Sequence, residues 1–95
     1  MRDFHDIVEQ CRRVSTVLVV KKATMSPDPF VEILVESGVN VLGPVDTAAK
    51  ALTIIAQSPA DLAVVEPELA GRRHGPELAR ALQEVWGVPA VVVGA

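Results

Sequence analysis

One cysteine, Cys11, is all the sequence has, which excludes a disulfide within the chain and any cysteine-based zinc site. Tyrosine is absent, and Phe4, Phe30 and Trp86 are the only aromatic residues. No run approaches the roughly 18 consecutive apolar residues of a membrane span. There is no basic excess: 9 Lys and Arg stand against 12 Asp and Glu, a net charge of −3, where a nucleic-acid-binding surface is normally basic. Arg12/Arg13 and Arg72/Arg73 are pairs rather than a patch. Asp3, Asp6 and Glu9 make the N-terminal stretch too acidic for a signal peptide. The expectation is a cytoplasmic protein that binds neither nucleic acid nor membrane.

What is present is aliphatic. Apolar residues make up 49% of the 95 positions, enough for the core of one domain, and Val, Leu, Ile and Ala dominate them. Short Val-rich runs suit a parallel sheet buried on both faces. Thr16–Val20, Val39–Val45, Leu62–Val65 and Pro89–Val93 read as four strands. Helices fall between them. Asp28 and Pro29 are an N-cap and first-turn pair, Phe30, Ile33 and Leu34 share a face, and Gly38 suits the stop. Asp46 or Thr47 caps the next helix, with Ala48, Ala51, Leu52 and Ile55 inward. Pro76 opens a third, with Leu78, Leu82 and Val85 spaced for burial and Gly87 ending it. Phe4, Ile7, Val8, Cys11 and Val14 recur at helical spacing, so residues 1–15 are expected to form an amphipathic helix ahead of a domain at 16–95. Strands alternating with helices imply parallel crossovers, an α/β fold.

Several pieces, in order, carry a resemblance. TVLVV runs into a polar pair. ESGVNVLGPVDTAAKAL looks like a helix end, a second strand and a second helix. DLAVVEPELAGRRHGPELARAL looks like a third strand, a turn and a third helix, and GVPAVVVGA like a fourth strand. Together, Thr16 to Ala95 resembles the receiver domain of two-component response regulators. The resemblance implies a flavodoxin-like, three-layer αβα sheet in the order 2-1-3-4, with no counterpart of the last βα unit before Ala95 and with an extra N-terminal helix.

A receiver phosphorylates one aspartate at the end of its third strand. Two acidic residues after the first strand hold Mg²⁺, a hard cation that takes oxygen ligands. A Thr or Ser ends the fourth strand and a Lys the fifth. Here the acidic pair is replaced by Lys21 and Lys22, which repel a cation. The acceptor is Glu66, one methylene longer than Asp, and misplacement of about 1 Å already slows in-line transfer. The hydroxyl position is Gly94, which has none. Lys21, Lys22, Glu66 and Gly94 thus read as a degenerate phospho-acceptor site needing no cofactor or metal. A Glu66–Lys ion pair resembling the phosphorylated state is one expectation, and a merely solvated Glu66 the other.

No other constellation carries chemistry. His5 and His74 lack partners at ligand spacing, Ser15, Ser26, Ser37 and Ser58 lack a triad context, and no phosphate-binding glycine motif occurs. Cys11 reads as packed, and Trp86 as a partly buried anchor. The expected function is a non-phosphorylatable, non-enzymatic interaction module of bacterial two-component signalling. Its partner would be a histidine kinase, another regulator, or itself in a homo-oligomer. The candidate interface is Phe4, Ile7, Val8 and Cys11 on the first helix with Val91, Val92 and Val93 on the fourth strand. That edge is expected to be covered by the N-terminal helix, a second chain or a partner, unless the sequence is a segment of a longer chain. The alternatives are a receiver that accepts phosphate on Glu66 or Asp61, and a remnant without function.

Overall fold

Thr16–Val20 forms β1, whose last four residues are completely inaccessible. Such a strand must lie between neighbours and under helices on both faces. The structure, a computed structural model, describes residues 4–22, 28–71 and 74–93, with the backbone alone for Phe4 and His5. β2 (Asn40–Val45), β3 (Leu62–Val65) and β4 (Ala90–Val92) complete one parallel sheet in the order β2-β1-β3-β4. This is the expected order, with the outer strands starting one residue later than the sequence suggests.

Four helices join them: α1 (Phe4–Cys11), α2 (Pro29–Glu36), α3 (Ala48–Gln57) and α4 (Gly75–Trp86). Their ends are where the sequence chemistry places them. Asp28 accepts from the amides of Phe30 and Val31, Thr47 accepts from that of Lys50, and Gly87 closes α4 at φ 66°.

Alternation along the strands divides the core in two. Leu18, Val20, Ala63 and Val65 face α3 and α4, where Ala51, Ile55, Leu78 and Leu82 pack. Val17, Val19, Leu62 and Val64 face the other layer, with Leu34 of α2 and Ile7 and Cys11 of α1. The N-terminal helix therefore shares a core with the sheet. Ile7 is 1% and Cys11 0% exposed, so these two members of the candidate interface are occupied inside the chain. Burial also pushes the Cys11 thiol up to about 11, far from the thiolate form that reacts.

Two helix positions differ from expectation. Ile33 and Val85, read as inward, are 37% and 72% exposed. Trp86, read as partly buried, is 43% exposed. Both Val85 and Trp86 lie in the last turn of α4, whose inner stripe of Leu78 and Leu82 runs out past its cover.

The two edges are unlike. On β2, the register slips against β1 between Leu18 and Val20, next to a cis Gly43–Pro44 bond. Gly43 sits at φ 95°, where a Cβ would lie 2.7 Å from the Val19 carbonyl oxygen, so only glycine fits. On β4, the bonds from Ala63 N–H to the Pro89 carbonyl and from Val93 N–H to the Val65 carbonyl aim those residues at β3. By alternation, the backbone groups of Ala90 and Val92 point outward.

Candidate functional site

The carboxyl ends of β1 and β3 lie side by side, and each delivers one candidate residue at its first position past the strand. Lys21 donates its amide to the Val45 carbonyl, and Glu66 donates its own to that of Val20. Both main chains are thus fixed by the sheet.

Their side chains do not meet each other. Lys21 Nζ lies 2.8 Å from Asp28 Oδ2, in an ion pair whose side chains are 20% and 3% exposed. The other Asp28 oxygen takes the Phe30 and Val31 amides at 3.0 and 3.2 Å. One carboxylate therefore caps α2 and neutralises the cation ending β1. Burial alone raises the Asp28 carboxyl, but the Lys21 hydrogen bond, the two amides and the Lys21 charge outweigh it, and the net shift is below the usual aspartate value.

Glu66 Oε1 accepts the backbone amide of Lys22 at 2.8 Å, while the Lys22 ammonium lies 3.7 Å from Glu68 Oε2 in an exposed contact. The expected Glu66–Lys ion pair is therefore not formed: Asp28 holds one ammonium, and the other points to solvent beside Glu68. Asp61 lies at the opposite end of the sheet, where its Oδ2 accepts the amides of Ser15 and Thr16. Gly94 lies outside the described residues. Among those described, no group of three or more His, Cys, Asp and Glu is placed to hold a metal ion. His74 is exposed and precedes α4 without a capping side-chain bond.

Asp28 is the member of this site that sequence reasoning used only as a cap. An Asp-Pro pair signals a helix start, but nothing in local spacing says that α2 brings that carboxylate back to the residue ending β1.

Glu66→Gln is expected to change stability by less than about 1 kcal/mol, because the amide oxygen still accepts from Lys22 and no partner loses its charge. Thermal melting checks this; a drop of many degrees would mean Glu66 carries an ion pair.

The architecture has a close counterpart. A signal receiver domain of a modulated diguanylate cyclase from Desulfovibrio desulfuricans G20, described as an example of alternate folding, superposes with a TM-score of 0.77 at 24% identity. The match covers 86% of this chain and 66% of that one, just under two thirds of its length. The chain has the receiver fold. No protein-family model and no curated protein matches the sequence. Within the receiver fold, Lys21 and Glu66 stand at the carboxyl ends of the first and third strands, and α1 adds a helix to the layer that holds α2. No helix among the described residues is long and apolar enough to cross a membrane.

Proposed function

We propose that this receiver-fold chain is a protein-interaction module of two-component signalling that accepts no phosphoryl group and associates with itself through β4. The Lys21–Asp28 pair carries the first part: a fixed, charge-neutralised ammonium stands where a phosphorylated receiver needs Mg²⁺ ligands, and a cation there meets Lys22 as well. Glu66 spends one carboxylate oxygen on the Lys22 amide, and the neighbouring Glu68 faces the Lys22 ammonium. The chain is then not an enzyme but a surface presented to a histidine kinase, another regulator or its own copy.

For the second part, Val91, Val92 and Val93 are half-buried, and the outward backbone groups of Ala90 and Val92 form a short strand template. Exposed Val85 and Trp86 on the adjoining helix extend it with apolar surface. Of the candidate interface on α1, Val8 is half-buried, and Phe4 has no described side chain.

Incubation with acetyl phosphate and Mg²⁺, followed by intact mass, is expected to show no added phosphoryl group; a gain that Glu66→Gln abolishes would establish the acceptor alternative. Sedimentation velocity on the same sample is expected to show a dimer that Val92→Pro disperses, since proline removes an outward N–H. A folded monomer at all concentrations would overturn the self-association.

A further inference from the structure

Between α1, α2 and the carboxyl ends of β1, β3 and β4 lies a cavity of about 140 Å³. Its apolar walls are Ile7, Val19, Val20, Phe30, Val64 and Val93, and Lys21 and Glu66 complete it. Open parallel sheets bind ligands outside the carboxyl ends of their strands. The space is half open to solvent, and its volume is that of one ring: an enclosed apolar cavity of about 150 Å³ takes up benzene.

The polar groups decide the charge of the guest. Lys21 is neutralised by Asp28 at 2.8 Å. Glu66 uses Oε1 for the Lys22 amide and takes no further side-chain hydrogen bond from the described residues. Among the described residues, the polar end of the cavity therefore keeps one carboxylate, Glu66, that no ammonium meets, beside six apolar side chains.

We propose that this cavity binds a small apolar amine, its single ring or branched chain against Ile7, Val19 and Val64 and its ammonium on Glu66. A carboxylate of the same shape meets Glu66 as a like charge, and a neutral ring leaves Glu66 unpaired. The proposal does not rest on the absence of phosphorylation or on the β4 edge.

Benzylamine, toluene and benzoate serve as probes in a methyl NMR titration of the full chain. Benzylamine is expected to shift the methyls of Ile7, Val19 and Val64, to bind more tightly than toluene, and to outcompete benzoate. Glu66→Gln is expected to weaken benzylamine about fivefold, as for loss of a partly exposed ion pair, and to leave toluene unchanged. Val93→Phe, which fills the cavity from its half-buried rim, is expected to abolish the shifts while circular dichroism shows a folded chain. Absence of methyl shifts at millimolar benzylamine would overturn the proposal. So would equal binding of benzoate, or benzylamine binding that Glu66→Gln leaves intact. If Val93→Phe fails to fold, the comparison of probes and the Glu66→Gln result decide alone.

Discussion

Gly75→Ala is expected to lower the melting temperature by about 10–20 °C, the response of a domain this size to about 3 kcal/mol. Gly75 is buried at the start of α4, and its amide donates to the Pro67 carbonyl at 2.8 Å. A Cβ there would overlap the Glu66 carbonyl oxygen and come within 2.9 Å of the Pro67 Cα. Both are backbone atoms just past β3, so no side chain swings aside. The helix start must retreat, dragging Leu78 and Leu82 out of the core, or the turn carrying Glu66 must move. Gly87→Ala is the matched control. Its φ of 66° makes alanine cost about 1 kcal/mol, but a Cβ there meets nothing within 4 Å. Equal losses for the two variants would show that Gly75 matters only through flexibility.

Asp28→Ala is expected to cost about 3 kcal/mol or more. Removing one partner strands a mostly buried ammonium and also deletes the cap of α2, alone worth about 1 kcal/mol. Asp28→Asn keeps the cap oxygen and loses the charge, so it is expected to cost less. Lys21→Met combined with Asp28→Asn leaves no buried charge and is expected to recover part of the loss, which a double-mutant cycle by urea denaturation measures. The pH dependence has a definite sign. The Asp28 carboxyl is lowered in the folded state, so between that value and the unfolded one, about 4, the unfolded chain binds the extra proton and stability rises with pH. The contribution is complete above about pH 4 and is lost as the pH falls through the lowered folded value. Asp28→Asn is expected to flatten that part of the profile; an unchanged acid limb would mean that the pair contributes nothing.

Period and punctuation made most of the fold legible. Val-rich runs too short for helices, Asp28-Pro29 and Thr47 as caps, and Gly87 as a stop each act through neighbours a few residues away. The same rules failed where long-range cover decides. Val85 has the spacing of a core residue, but its stripe continues beyond the last strand that shields it. Cys11 and Ile7 read first as packed and second as interface, because an apolar stripe does not say which surface it meets; the structure buries both. At the site, the residue types past β1 and β3 were readable, and their pairing was not. Lys21 found Asp28, seven residues on, and Lys22 turned its amide, not its ammonium, to Glu66.

The unequal edges of the sheet set a limit on growth. On the β2 side, the slipped register at Gly43 and the missing N–H of Pro44 interrupt the ladder that another strand would need. Among the described residues, only the β4 side offers a regular row of donors and acceptors. A sheet with one usable side has a valence of one. Two such chains that meet through it satisfy each other about a two-fold axis and leave nothing for a third. The proposed association through β4 would therefore be finite, without the open-ended stacking to which a sheet with two exposed sides is liable.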